Sequence, residues 1–207
     1  MLKKHFLTAF VLLFFLFSSL SVQAQNHKPI VELHTTLGVI TLELEPENAP
    51  ETVKNFLQYV KDGFYNGTIF HRVSADFMVQ GGGFTPNMKE KKTRPPIKFE
   101  GGNGLKNQVG SLAMARTAEA NSATSQFFIN IVDNQMLDYR GPAASEVGYC
   151  VFGRVIKGLE VVSKIRDLPT TNRPPNQNVP LQTVVIERAV LLADKTANKK
   201  PAPTAKP

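Results

Sequence analysis

The chain has no tryptophan, one cysteine and only four histidines. A single cysteine cannot close an intramolecular disulfide, so a disulfide-stapled scaffold is excluded. Cys150 sits in the apolar run Tyr149-Cys150-Val151-Phe152 and reads as a small buried hydrophobe rather than a reactive thiol. Beyond the N-terminal segment the histidines are His27, His34 and His71, and their spacing assembles no zinc-type ligand cluster. No G-x-S-x-G elbow accompanies His34 or His71, which weighs against a Ser-His-Asp hydrolase. The glycine runs Gly81-Gly82-Gly83 and Gly101-Gly102-Asn103-Gly104 lack the Lys-Ser/Thr of a phosphate loop and the dinucleotide fingerprint. No cofactor and no metal are expected. The longest apolar run, Phe6 to about Leu20, is interrupted by Ser18 and Ser19 before the ~20 residues a membrane span needs.

What is present fits one domain with appendages: 207 residues, 42% of them apolar, enough to fill a core. Lys3 and Lys4 precede the apolar run, and Val22-Gln23-Ala24 closes it with small residues at −3 and −1. This is the pattern of a cleavable export signal over residues 1–24, and no cysteine follows that could carry a lipid anchor. Residues 195–207 hold four Lys, three Pro and three Ala without a large apolar side chain, as a solvated tail would. The formal charge of +7 divides accordingly. Removing Lys3 and Lys4 leaves +5, and removing the four tail lysines leaves +1 for the domain at 25–194. Its remaining basic cluster, Lys89, Lys91, Lys92 and Arg94, is punctuated by Glu90 and lacks interleaved aromatics. It reads as a solvated loop, not a nucleic-acid patch.

Apolar alternation over residues 30–44, broken at Thr35-Thr36-Leu37-Gly38, predicts an N-terminal hairpin. A helix should follow, with Pro50 in its first turn, Val53, Phe56, Leu57 and Val60 on one face, and Gly63 past its end. Short strands are expected at Thr68 to Val73, Phe77 to Gln80, Ser111 to Ala115, Gln126 to Val132, Cys150 to Ile156 and Thr183 to Leu192. A second helix spans about Leu159 to Arg166. Pro169 to Pro180 reads as a Pro/Asn-rich loop. Many short strands with two helices point to a mainly β fold, a closed or nearly closed barrel capped by helices.

Two segments carry chemistry. FHRVSADFMVQGGGF, residues 70–84, places Arg72 in an otherwise apolar strand and sets Met78 and Gln80 on one face of the next. Taken alone, Arg72 reads first as half of a structural ion pair. MARTAEANSATSQFFINI, residues 114–131, if extended from Gln126, turns Gln126, Phe128 and Asn130 one way and Phe127, Ile129 and Ile131 the other. One face suits a core. The other sets an aromatic ring beside two amides, which suits a satisfied sheet surface as well as a binding site.

These residues, with NGLKN..GSLAMAR and a late VFGRV strand, resemble the cyclophilin family of peptidyl-prolyl cis-trans isomerases, and in particular its exported bacterial branch. The likeness runs from about Pro29 to Leu191. It implies a closed eight-stranded antiparallel β-barrel capped by two α-helices, and rotation of X–Pro bonds in unfolded or partly folded polypeptides. Arg72 matches the family's catalytic arginine, Gln80 the glutamine that orients it and binds substrate, and Phe77, Met78, Phe128 and Leu137 the pocket for the proline ring. Gln126 matches a further contact, and Ala115, Arg116 and Thr117 the stretch whose backbone holds the peptide; Arg116 stands where eukaryotic members commonly have Asn. Met136 stands where many members have Trp, and Tyr149 where a pocket histidine is usual, so the resemblance implies weak cyclosporin binding. The exported branch implies a periplasmic monomer with no membrane anchor after signal cleavage. Two other readings compete: a peptide-binding chaperone on the same barrel without catalysis, and an unrelated barrel holding a small ligand inside.

Overall fold

The computed structural model describes residues 28–193; the expected signal at 1–24 and tail at 195–207, like His27, lie outside them. The alternating run at the start folds as expected, into β1 (Ile30–Thr35) and β2 (Gly38–Leu44), paired from Ile30↔Glu43 to Thr35↔Gly38. Helix α1 (Pro50–Lys61) opens on its proline, whose missing N–H costs nothing in a first turn, and buries Val53, Phe56, Tyr59 and Val60. Its N-cap residue, Ala49, has no side-chain acceptor. Glu100 supplies one from far along the chain, its carboxylate accepting from Glu51 N (3.1 Å), Thr52 N (2.9 Å) and Thr52 Oγ1 (2.7 Å).

The remaining barrel strands are β3 (Thr68–Ser74), β4 (Met78–Gly81), β5 (Ser111–Met114), β6 (Phe127–Asn130), β7 (Val151–Lys157) and β10 (Val185–Leu191). Helix α2 (Leu159–Arg166) follows β7 and buries Val161, Val162 and Ile165. The turn into it is made by Gly158 at φ +88°, where an added Cβ would stand 2.3 Å from Val39 O. The eight strands close in the order β1-β10-β3-β4-β6-β5-β7-β2, every neighbouring pair antiparallel. Residues 169–180 are not the expected loop. They form a hairpin, β8 (Thr170–Arg173) and β9 (Asn176–Pro180), which packs on β3. Their polar composition hid it, since of β8 and β9 only Val179 and Pro180 are buried.

The barrel interior is filled by side chains. Leu33, Ile40, Leu42, Leu112, Phe127, Ile129 and Phe152 are fully buried, and Phe56 of α1 stacks among Tyr65, Phe127 and Phe152 at centroid distances of 5.1–5.6 Å. A second, smaller apolar cluster lies apart from this core: Met78, Ala113, Phe128 and Val151, with Phe77, Leu105, Ala115, Leu137 and Tyr149 against it.

An apolar pocket beside an unpaired guanidinium

The position of Arg72 follows from an irregularity in β3. Phe70 pairs with Gly81 and Arg72 with Gln80, so β3 advances two residues while β4 moves one, leaving His71 as the extra residue of a bulge. In regular alternation Phe70 and Arg72 would share a face. The bulge separates them. Phe70 and Val73 belong to the main core, whereas Arg72 reaches the opposite side of the wall and donates through Nη1 to Gln80 Oε1 at 3.4 Å.

The pairing then lines up a rank across the strands: Arg72 opposite Gln80, Gln80 opposite Phe128, Phe128 opposite Ala113. Directly opposed residues on one face lie about 5 Å apart, so these side chains are neighbours. Phe127 and Ile129 point into the core as their alternation requires, and Phe128 turns to the outer cluster. There Tyr149 meets the Phe128 ring edge-on at 5.4 Å, and Tyr149 N donates to Leu137 O at 2.9 Å. Phe77 rims the cluster, 6.0 Å from the Arg72 guanidinium. An open groove continues past Arg72, between Gln80, Gln126 and Phe84 on one side and Pro175 to Gln177 on the other.

The expected ion pair for Arg72 is absent: the salt bridges among the described residues do not include it. A carboxylate in this wall would have neutralised the guanidinium; an amide leaves its charge available. Gln126, one residue before β6 rather than in it, accepts from Gln80 Nε2 at 2.9 Å.

The other expected site residues divide. Ala115 packs on the outer cluster and its N–H is used by Gln126 O. Arg116 is folded onto its own loop, donating to Gly148 O at 2.8 Å with its guanidinium 4.8 Å from the Tyr149 ring centre. Thr117 N is taken by Ser122 Oγ at 2.9 Å, so it offers no free donor to an added strand. Met136 stands apart at 66% exposure, outside the cluster that Leu137 joins.

Sequence reasoning missed the polar layer beneath the pocket. Asn130, expected to face outward as an amide, is buried and donates to Ser111 Oγ (2.8 Å) and Asn107 Oδ1 (3.2 Å). Asn134 donates to Asn130 Oδ1 (2.7 Å) and Phe77 O (2.9 Å), and Asn107 donates to Leu137 O (3.0 Å). The three amides therefore tie down the backbone on both sides of the pocket. Asparagines flanking short apolar strands were the only signal of this.

His71 is buried with Nδ1 unpartnered and its ring 4.6 Å from Phe84. Burial, reinforced by the Arg72 charge, holds its pKa down at about 4, so the ring is neutral at pH 7. Cys150 is buried as expected, and burial pushes its thiol up to about 11. The basic loop is less free than its composition suggests. Lys91 hooks onto Phe64 O with its ammonium 4.7 Å from that ring, and Arg94 pairs with Asp62.

Residues 30–190 match the family model described as cyclophilin type peptidyl-prolyl cis-trans isomerase/CLD. The chain is 49% identical over 191 residues to peptidyl-prolyl cis-trans isomerase A of Dickeya dadantii, covering 92% of this chain and 99% of that protein. It is 53% identical to isomerase B of Escherichia coli, over 76% of this chain and 96% of that one. A crystal structure of a Cryptosporidium parvum cyclophilin type isomerase, obtained in the presence of the dipeptide Ala-Pro, superposes with a TM-score of 0.67 at 27% identity. That match covers 80% of this chain and 99% of the other.

Proposed function

Because the chain belongs to the cyclophilin-type peptidyl-prolyl cis-trans isomerases and catalyses their reaction, we propose that Arg72 is its catalytic residue and that its substrates are exported polypeptides. Rotation about an X–Pro bond crosses a barrier of ~18–20 kcal/mol and takes tens of seconds or longer unaided. No covalent bond breaks, so neither nucleophile nor base is needed. The enzyme has to favour the twisted amide over both planar forms. Twisting returns a lone pair to the proline nitrogen, and a guanidinium aimed there stabilises that state alone.

The observation that carries this reading is the unpaired Arg72 guanidinium at the rim of the outer apolar cluster. Phe77, Met78, Phe128 and Leu137 take the proline ring, with Tyr149 closing the pocket edge-on. Gln80 orients Arg72 and hydrogen-bonds the peptide, Gln126 contacts it next door, and the backbone at Ala115 and Arg116 lies along the bound chain. Met136, exposed and outside the cluster, is left to meet the peptide beyond the pocket itself. The structure of a related enzyme obtained in the presence of Ala-Pro supports a proline-containing substrate. A rate gain of about five powers of ten requires about 7 kcal/mol, so pocket burial and fixed orientation must add to the arginine's share.

Export is supported by the basic, apolar and small-residue pattern of residues 1–24, and we place the mature enzyme in the periplasm as an unanchored monomer. The test of the site is the cis-to-trans rate of an X–Pro peptide. Wild type should accelerate it strongly, while Arg72→Ala binds peptide about equally and loses most of the rate. Equal rates for the two proteins would overturn the assignment of Arg72.

A further inference from the structure

Glu90 takes no part in the pocket, yet it ends a hydrogen-bond chain that begins at Arg72. Arg72 Nη1 donates to Gln80 Oε1 (3.4 Å), Gln80 Nε2 to Gln126 Oε1 (2.9 Å), and Gln126 Nε2 to Glu90 Oε1 (3.5 Å). The direction of this chain is fixed by its ends. A guanidinium has only donors, so Gln80 must turn its oxygen towards Arg72 and its nitrogen away. Gln126 must then turn its oxygen to Gln80, which leaves its own nitrogen facing outward in need of an acceptor. An ionised carboxylate is acceptor-only. Flipping either amide sets donor against donor or oxygen against carboxylate.

The fold holds Glu90 in place for this. Its backbone bridges Phe84, and the flanking bonds Lys91 N to Gly83 O (2.9 Å) and Thr85 N to Lys89 O (3.0 Å) extend that bridge into a short ladder. Alternation sends Lys91 one way, onto Phe64, and Glu90 the other, towards Gln126. Gln126 is itself confined, since a Cβ at Gly83 would stand 2.5 Å from its Cγ. Glu90 has no salt bridge among the described residues despite three neighbouring lysines, so its carboxylate is left for the amide.

We propose that Glu90 is a positioning residue of the isomerase, locking Gln126 and Gln80 in the orientation that presents an oxygen to Arg72. The proposal rests on the reading of Arg72 given above. The test compares Glu90→Lys and Glu90→Gln, each alone and with Gln126→Ala, by kcat and KM on an X–Pro peptide and by the side-chain amide resonances of Gln80. Glu90 is exposed, and a thermal midpoint verifies that each variant folds. Glu90→Lys places a donor where an acceptor is required. It should lower kcat by about threefold to tenfold with KM changed by less than about twofold, and shift the Gln80 amide resonances. Glu90→Gln, which keeps an acceptor oxygen, should retain most of kcat. With Gln126→Ala the lysine should have no further effect. An unchanged kcat and unshifted Gln80 resonances in Glu90→Lys overturn the proposal, as does an undiminished effect with Gln126→Ala. In either case a slow Arg72→Ala leaves the reading of Arg72 standing; only a fully active Arg72→Ala removes that reading itself.

Discussion

His71 shows how one residue couples site geometry to stability. As the extra residue of the β3 bulge it turns Arg72 out of the core, and as a buried ring it stays neutral down to about pH 4. In the unfolded chain the same ring takes its proton near its ordinary value of 6.5. As pH falls below that value the unfolded state therefore binds the extra proton first, and stability drops until about pH 4. Above pH 6.5 the group makes no pH-dependent contribution. The loss is on the order of 3 kcal/mol across the window. Denaturant unfolding at pH 7 and pH 4.5 should show His71→Gln losing much less than wild type; equal losses would place the acid sensitivity elsewhere. Sequence reading picked out Arg72, Gln80, Phe128 and Met78 as candidates because a specific motif carries them, and the strand pairing sets them side by side. It could not see that Arg72 lacks an ion pair, since the bulge that turns it outward has no signature in local composition. It also set Asn130 facing out, because alternation does not reveal that Asn107, Ser111 and Asn134 converge to satisfy it.

Among the elements, α1 is the one whose start is not encoded where it begins. Pro50 marks the first turn, but the N-terminal donors are satisfied by Glu100 across the fold, a position where negative charge also meets the positive end of the helix dipole. Glu100→Ala should lower unfolding free energy by about 1–2 kcal/mol, the usual worth of a lost cap. Activity per folded molecule should stay near wild type, because no site residue touches that carboxylate. A stability unchanged in denaturant titration would mean that water serves those donors equally well. Both helices and the barrel strands were legible from their periodicity to within a residue or two. The β8–β9 hairpin was not, because strands that bury only two consecutive residues at one end show no alternation to read.

For the molecule as a whole, interior and exterior have exchanged their customary roles. The inside of the barrel is filled by buried side chains, and the proposed site is on the outer wall. The reading of an unrelated barrel with a ligand inside fails on this packing. Any apolar probe that the native protein binds should accordingly be displaced by saturating X–Pro peptide, followed by fluorescence. A probe retained under those conditions would reveal an interior site. Barrel class and helix count were legible from the sequence, but the order of the strands was not, because long-range pairing leaves no local trace. That order has a consequence for how the enzyme comes into being. Strand β10 lies between β1 and β3, yet a ribosome makes it after both and after every other strand of the wall. Without it β1 and β3 each lack a partner along one edge, and β3 is the strand that carries Arg72. The barrel therefore cannot close on a chain that stops short of its last strand, and a chain truncated before Val185 leaves β1 and β3 without their shared partner.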